Sequence, residues 1–276
     1  MSKTTTWPDG YIEGNGLRLH YWRTGDGAKP PVVLCHGLSD NGLCWMPVAR
    51  VLEADYDVIM PDARGHGLSD APESGYTAED QAADLAACIR GLALKGVAVL
   101  GHSMGGSTAA MATAQYPDLI AKALLEDPAW WDEDARERFM PTEEREEWLK
   151  GRRENILKQK RMSRGALIAL CRKQSPAWAD DELDNWAISK QQLSPNVVQG
   201  FAPPGPWQET AGKFRCPVLL ITADVDKGAI VSPGLAAKAT ALNPRIRVAH
   251  ISGAGHNVRR EAFRAYMEAV TTFLLA

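Results

Sequence analysis

The chain has 276 residues, of which 45% are hydrophobic and 24% are charged, and its formal net charge is −3. This composition is ordinary for a soluble globular protein, and the charge gives no reason to expect nucleic acid or an anionic membrane as a partner. The length fits one large domain or two small ones. No apolar run in the sequence is long enough to cross a bilayer.

The N-terminus and the cysteines predict a compartment. Residues 1–6 lack the apolar core of a signal peptide. The five cysteines are an odd number without C-x-x-C spacing, which favours reduced, structural thiols. We therefore expect a cytoplasmic protein, and the sequence does not exclude a homodimer.

Strand-like and helix-like runs alternate over the first part of the chain. Apolar or alternating residues predict strands at 17–23, 31–35, 57–60, 97–100 and 120–125. Helical patterns lie between them at 45–53, at 77–94 and from 105 to about 116. Thr77 and Asp80 have the spacing of a capping box, with Asp in place of the usual Glu, which predicts the start of the second helix.

A charged segment interrupts this alternation once. Residues 130–161 are rich in Glu, Arg and Lys with helical spacing, and helical character continues to a Pro/Gly cluster at 202–206. Strands at 217–222 and 246–251 and helices at 233–242 and 259–275 follow. Strands that alternate with helices imply a mostly parallel sheet covered on both faces, so we predict an α/β fold with a helical insertion.

Residues 100–106 have the pattern of a nucleophile elbow. Gly101-x-Ser103-x-Gly105 stands between a buried strand and an Ala-rich helix. A strand that turns directly into a helix strains the central residue and requires small residues two positions away on each side. The hydroxyl of Ser103 would then stand at a helix N-terminus, where developing negative charge is stabilised. The pattern predicts that Ser103 is a nucleophile.

A serine nucleophile needs a neighbouring base, because its hydroxyl reacts poorly at neutral pH. His256 follows Gly253-Ala254-Gly255 just beyond the last strand, where parallel sheets expose reactive groups. His36 and His66 lie in Gly-flanked loops that they are expected to organise, and His102 would point away from the elbow hydroxyl. These positions predict His256 as the base.

The carboxylate that would orient His256 is left open by the sequence. Asp226 follows the strand after the insertion and is the first candidate, with Asp224 two residues nearer to that strand. Glu126 follows the strand at 120–125, from which a carboxylate can reach the same histidine, and Asp127 is its neighbour. At least two of these four acids must be solvated loop residues or helix caps.

Acyl transfer also needs hydrogen-bond donors directed at the developing oxyanion. The backbone N–H of Met104, directly after the nucleophile, is one expected donor, and the N–H of Leu38, after His36-Gly37, is the other. The sequence has no metal-ligand spacing, no G-x-G-x-x-G and no P-loop. We therefore expect neither a metal nor a cofactor.

These motifs together resemble the α/β-hydrolase family. They occur in the family's order: His36-Gly37, Asp62-x-Arg64-Gly65-His66-Gly67, the elbow at 101–106, the acids at 224–226, and Gly253-x-Gly255-His256. The resemblance implies an eight-stranded, mostly parallel sheet with a helical cap inserted after the sixth strand. The core domain would comprise residues 1–128 and 213–276, and the cap residues 129–212.

The resemblance also implies a Ser-His-acid triad, with Ser103 as nucleophile, His256 as base and Asp226 as acid. The usual Gly-x-x-Asp motif of the family here reads Ala223-Asp224-Val225-Asp226. Some members carry the acid after the sixth strand instead, and Glu126-Asp127-Pro128 resembles that arrangement. Glu126 is therefore the alternative to Asp226.

The nucleophile limits the chemistry. Serine argues against the haloalkane dehalogenases and epoxide hydrolases of the family, which use Asp there. We expect hydrolysis of a carboxylic ester or lactone by a cofactor-free serine hydrolase. The alternatives are amide or carbon–carbon bond hydrolysis, cofactor-free perhydrolysis, and a non-catalytic ligand receptor on the same fold.

The positions of the tryptophans in the sequence predict the kind of substrate. Six of the nine lie in or just past the insertion, and a small cap shares its apolar face with the catalytic domain. We predict that Trp130, Trp131, Trp186 and Trp207 line a pocket for a bulky aromatic or macrocyclic ester or lactone. The competing interpretation is that tryptophans such as Trp186 hold the inserted helices together.

Overall fold

The computed structural model describes residues 7–131, 144–201 and 207–276. Three segments used above lie outside the described residues: the N-terminal residues 1–6, residues 132–143 of the charged stretch, and the Pro/Gly cluster at 202–206.

Eight strands form one sheet, which confirms the predicted fold class. The sheet has the order β1-β2-β4-β3-β5-β6-β7-β8, in which β2 pairs antiparallel with β1 and β4 and all other pairs are parallel. The strands are β1 (Asp9–Gly14), β2 (Leu17–Arg23), β3 (Pro31–Cys35), β4 (Asp57–Pro61), β5 (Val97–His102), β6 (Ile120–Glu126), β7 (Val218–Ala223) and β8 (Ile246–Ile251).

Helices alternate with the parallel strands. The described helices are α1 (Met46–Leu52), α2 (Ala78–Gly91), α3 (Met104–Gln115), α4 (Arg145–Lys160), α5 (Arg164–Gln174), α6 (Asp180–Gln192), α7 (Trp207–Gly212), α8 (Pro233–Leu242), α9 (Val258–Glu261) and α10 (Phe263–Leu275). None of these helices in the described ranges is long and apolar enough to span a membrane. The capping box predicted for α2 is present, with the side chains of Thr77 and Asp80 each accepting the other's backbone N–H.

The hydrophobic core lies on both faces of the central strands. Val33 and Val99 pack on the face covered by α2 and α3, while their neighbours Leu34 and Leu100 pack on the face covered by α1 and α10. Side chains that alternate along a strand point to opposite faces, so a strand covered on both faces is apolar throughout. This explains why the central strands were readable as continuous apolar runs.

Helices α4, α5 and α6 lie between β6 and β7. Helices α5 and α6 share a small core of their own, and α6 contacts the loop that follows β3. The side-chain amide of Asn185 donates to the carbonyl of Leu43 at 3.0 Å, and that of Asn41 donates to Gln192 at 2.8 Å. These contacts place α6 above the carboxyl ends of the parallel strands, where the site described next is built.

Candidate active site

Ser103 is the single residue between β5 and α3. Its backbone conformation (φ 53°, ψ −114°) is one that residues other than glycine seldom adopt. Its N–H donates to the carbonyl of Glu126 at 2.9 Å, and its carbonyl accepts the N–H of Ser107 at 3.0 Å. Such strain persists only where the surroundings hold it. The two elements thus expose the half-buried Ser103 side chain at the start of α3.

The glycines that flank Ser103 allow the strand and helix to approach. A Cβ atom on Gly101 would lie 2.1 Å from the carbonyl oxygen of Gly105, and one on Gly105 would lie 2.1 Å from that of Cys35. These separations are far below van der Waals contact, and the obstacle is backbone that cannot rotate away. The elbow therefore needs glycine at both positions.

His256 lies against the serine. Its Nε2 is 3.0 Å from Ser103 Oγ, and its side chain is 30% exposed. The ring of His102 supports the same loop, because its Nε2–H donates to the carbonyl of His256 at 2.9 Å. Burial, together with the positive charge of Arg259, lowers the pKa of His102 well below its ordinary value, so this ring stays neutral.

The carboxylate in contact with His256 is that of Asp127. Its Oδ2 lies 2.6 Å from His256 Nδ1. The carboxylate also accepts two backbone N–H groups, that of Ile230 on Oδ2 and that of Val231 on Oδ1, both at 2.8 Å. Since a carboxylate accepts, Nδ1 of His256 donates. Nε2 is then free to accept the proton of the Ser103 hydroxyl.

Asp226, the first candidate from the sequence, does not occupy this place. It lies exposed in the short 3-10 turn Val225–Lys227 beyond the end of β7. Its neighbour Asp224 accepts the N–H of Gly253 at 2.8 Å and contacts His250. The loop after β7 therefore supports the segment that leads to His256 instead of contacting the imidazole.

Glu126, the alternative candidate, points elsewhere because it is still part of β6. Its fully buried carboxylate accepts the N–H of Arg259 at 3.0 Å, and burial raises the pKa of Glu126. The predicted strand ended one residue earlier, at position 125, which made Glu126 the first loop residue. With β6 ending at Glu126, the first residue free to turn toward His256 is Asp127.

The loop after β3 carries Leu38, one of the two expected oxyanion donors. The N–H of Ala63 donates to His36 Nε2 at 3.0 Å, and His66 Nε2 faces the N–H of Ser39 at 3.4 Å. Burial and the neighbouring His36 lower the pKa of His66 to about 3, so this ring is neutral. Both histidines thus organise the loop. Met104, which carries the other expected donor, is the first residue of α3.

Three of the four tryptophans predicted to line the pocket are packed into cores. Trp130 and Trp207 stack on each other with ring centroids 5.2 Å apart in the main core, and Trp186 lies in the core of α5 and α6. Trp131 is half-buried. The packing of Trp186 matches the competing interpretation, in which tryptophans hold the inserted helices together. Trp130, Trp186 and Trp207 do not form the aromatic lining of an open pocket.

Within the three described ranges, no three His, Cys, Asp or Glu side chains are grouped so that they could hold a metal ion. All five cysteines are buried and free. Burial raises the pKa of Cys35, Cys44 and Cys88 to about 12, which keeps these thiols protonated and unreactive.

Known proteins are similar to this chain along most of its length. The family model described as alpha/beta hydrolase fold matches residues 30–259. The chain belongs to the α/β-hydrolase family. It is accordingly a hydrolase, as are the relatives that it matches along most of its length.

Two relatives of this α/β-hydrolase are similar nearly end to end. The 2-(acetamidomethylene)succinate hydrolase of Mesorhizobium japonicum is 30% identical over 271 residues, which cover 90% of this chain and 89% of the relative. The N-formylmaleamate deformylase of Pseudomonas putida is 28% identical over 289 residues, which cover 96% of each chain. A crystal structure of E-2-(acetamidomethylene)succinate hydrolase shares the fold with a TM-score of 0.83 at 24% identity, covering 98% of this chain and 100% of that chain.

Proposed function

We propose that this α/β-hydrolase is a serine hydrolase that cleaves a carboxylic ester, lactone or N-acyl amide through an acyl-enzyme on Ser103. The observation that carries the proposal is the chain of contacts from Ser103 Oγ through His256 to Asp127, at 3.0 and 2.6 Å. These three side chains supply a nucleophile, a base and the group that orients the base.

In the first half of the reaction, Ser103 Oγ attacks the carbonyl carbon while His256 Nε2 takes the hydroxyl proton. The carbonyl oxygen becomes an oxyanion, which would accept the N–H groups of Leu38 and Met104. When the intermediate collapses, the bond to the leaving alcohol or amine breaks, and His256 returns its proton to that leaving group. The acyl group stays on Ser103 as an ester.

In the second half, water replaces the leaving group. His256 Nε2 takes a proton from the water as its oxygen attacks the acyl carbon. The bond to Ser103 then breaks, and the proton on His256 restores the serine hydroxyl. The acid product leaves, and one water molecule is consumed in each turnover.

For the substrate, we infer a short acyl group. The names of the two relatives specify an acetamido group in one substrate and removal of a formyl group from the other. The burial of Trp130, Trp186 and Trp207 takes away the support for a bulky aromatic or macrocyclic ester or lactone, because none of these side chains is more than 7% exposed. Carbon–carbon bond hydrolysis and perhydrolysis would use the same serine and histidine, and a receptor would use the pocket without turnover.

The test is a hydrolysis screen of purified wild type and Ser103→Ala. The panel contains aryl acetates, aryl esters of bulky aromatic acids, lactones, N-formyl and N-acetyl amides of unsaturated dicarboxylic acids, and a dienone-type acid as carbon–carbon substrate. We expect wild type to prefer short acyl groups and Ser103→Ala to lower kcat by about three orders of magnitude or more.

A fluorophosphonate label provides the control for the nucleophile. It should attach to wild type in a one-to-one ratio and leave Ser103→Ala unlabelled, whereas Ser107→Ala, a serine one turn further along α3, should label normally. Retention of most esterase activity by Ser103→Ala would refute the assignment. Labelling of Ser103 without turnover of any compound in the panel would favour the receptor.

A further inference from the structure

Lys190 on helix α6 is a buried cation whose contacts are made with the loop that carries Leu38. Its side chain is 4% exposed, and its ammonium lies over the ring of Trp186, 4.5 Å from the centroid. The ammonium donates to the carbonyl of Ser39 at 2.7 Å and to the hydroxyl of Ser39 at 2.9 Å. Burying a charge is costly unless it is hydrogen-bonded, so these contacts fix the position of Lys190 against the loop.

The residue that Lys190 binds is held in an unfavourable backbone conformation. The N–H of Asp40 donates to the carbonyl of Gly37 at 3.1 Å, which closes a turn with Leu38 and Ser39 at its centre. Ser39 has a φ of 66°. Turns that need a positive φ at their third position usually have glycine or asparagine there. Its conformation therefore depends on contacts from outside the turn.

A second side chain of α6 reaches the same carbonyl. The hydroxyl of Ser189 lies 2.9 Å from the carbonyl oxygen of Ser39. On the other side of the turn, the N–H of Ser39 faces His66 Nε2 at 3.4 Å. The inserted helix thus holds one side of Ser39, and the catalytic domain holds the other.

Buried ion pairs extend this contact to the segment that follows His256. Asp40 Oδ2 accepts from Arg259 at 2.9 Å and lies 3.1 Å from Arg260, and its Oδ1 lies 3.6 Å from the ammonium of Lys190. Arg260 in turn donates to Glu182 of α6 at 2.9 Å. Without the ammonium of Lys190, Asp40 would still be paired with Arg259 and Arg260. Substitution of Lys190 therefore tests chiefly its contact with Ser39.

We propose that Lys190 is a positioning residue of the oxyanion hole: it holds the strained turn at Ser39 so that the adjacent Leu38 presents its N–H to the developing oxyanion. The inference rests on the proposed function, because it assumes acyl transfer at Ser103. It gives helix α6 a part in transition-state stabilisation in addition to covering the site.

The experiment compares wild type with Lys190→Met, which keeps the length of the side chain and removes the ammonium. We expect kcat on p-nitrophenyl acetate to fall about 10- to 100-fold while KM changes by less than about threefold, since the oxyanion forms only in the transition state. Phenylboronic acid, whose tetrahedral adduct with Ser103 places a hydroxyl in the oxyanion hole, should lose affinity by a similar factor.

Lys122→Met is the matched control. The ammonium of Lys122 also binds backbone carbonyls, those of Phe273 and Leu274, but it does so near the start of β6, away from the elbow. This variant should keep the wild-type kcat and boronate affinity. Ser189→Ala is a milder substitution at the proposed contact, and it should lower kcat in the same direction even if Lys190→Met does not fold.

A second substitution, at Ser39, distinguishes a positioning role of Lys190 from a general contribution of Lys190 to protein stability. Ser39→Gly lets the turn adopt a positive φ without strain, so adding it to Lys190→Met should recover at least about threefold of the lost kcat. A merely structural role for Lys190 would predict no such recovery. Failure of Ser39→Gly to restore any activity would contradict the proposed link through the turn.

Other outcomes overturn the proposal directly. If Lys190→Met and Ser189→Ala keep wild-type kcat and boronate affinity, or if kcat falls while boronate affinity does not, Lys190 does not act on the oxyanion hole. These results differ from failure of the proposed function itself, in which Ser103→Ala would retain esterase activity or wild type would take no fluorophosphonate label.

Discussion

At the scale of single residues, the geometry of Asp127 determines what His256 can do. Oδ1 accepts the N–H of Val231, while Oδ2 accepts both the N–H of Ile230 and His256 Nδ1. Backbone N–H groups can only donate, so they lock the carboxylate in one orientation. That orientation requires a proton on Nδ1 and leaves Nε2 as the acceptor that faces Ser103.

We predict that Asp127→Asn lowers kcat by about three to four orders of magnitude. Oδ1 accepts both backbone N–H groups, from Ile230 at 3.1 Å and from Val231 at 2.8 Å, so these donors would hold the amide oxygen at that position. The amide nitrogen would then take the place of Oδ2 and face His256. Nδ1 would then accept and Nε2 would carry the proton, which prevents His256 from taking the proton of Ser103. Steady-state kinetics on the best substrate of the screen would measure the loss.

Asp226→Asn is the matched control, because it makes the same chemical change at an exposed acid in the loop first expected to provide the carboxylate. Its kcat should stay within about twofold of wild type, as is usual for surface substitutions away from the site. Equal losses in the two variants would show that the contact between Asp127 and His256 is not the functional one.

The same residues show how far the sequence alone could lead. The Gly-x-Ser-x-Gly spacing and the position of His256 after the last strand led us to Ser103 and His256, which the structure brings to 3.0 Å. The acid depended on where β6 ends, and strand ends are not encoded sharply in an apolar run. An error of one residue there exchanged Glu126 for Asp127, because neighbouring side chains point to opposite sides of a strand.

At the scale of elements, the junction between β5 and α3 is constrained by close backbone contact. A Cβ atom on Gly105 would lie 2.1 Å from the carbonyl oxygen of Cys35 and 2.5 Å from that of His36. The helix can therefore start beside the end of β3 only without a side chain at this position. The elbow and the loop that carries Leu38 are thus packed as one unit.

We predict that Gly105→Ala lowers the free energy of unfolding by about 3 kcal/mol, because β3 or α3 must move to admit the methyl group. Gly151→Ala is the comparison: Gly151 lies in α4 with nothing within 4 Å of an added Cβ. There alanine should raise the free energy of unfolding by roughly 0.5–1 kcal/mol. Urea unfolding of both variants would measure these changes, and similar values would contradict the packing argument.

The strands covered on both faces were predictable, whereas the edge strand β1 and the break in the last helix were not. The central strand β3 is apolar along its whole length and was predicted at its observed bounds, as was the edge strand β8. Strand β1 was missed because Ile12 is its single buried residue, although the Asn15-Gly16 turn that follows is a hairpin signal. The last predicted helix is two helices, broken at Ala262, where no glycine or proline marks the break.

At the scale of the whole molecule, the buried histidines make the free energy of unfolding depend on pH in two opposite directions. Burial lowers the pKa of His36, His66 and His102, so their neutral forms are favoured in the folded state and stability from them is lost as pH falls below about 6.5. His20 differs, because its buried ring lies 2.8 Å from Asp62 and 3.0 Å from Asp9. It joins β1 and β2 to the loop after β4.

Burial disfavours the charged ring of His20, but the two carboxylates outweigh this effect and its pKa is raised above 6.5. The charged ring donates to both acids, whereas the neutral ring can donate to only one. The stability that His20 adds is therefore complete below about pH 6.5 and is lost as pH rises through the raised pKa. We predict that His20→Gln, which cannot be protonated, lowers the free energy of unfolding by about 1–3 kcal/mol near pH 6. Urea unfolding between about pH 6 and pH 9 should show this difference shrinking with rising pH; a constant difference would mean that His20 is neutral in the folded protein throughout.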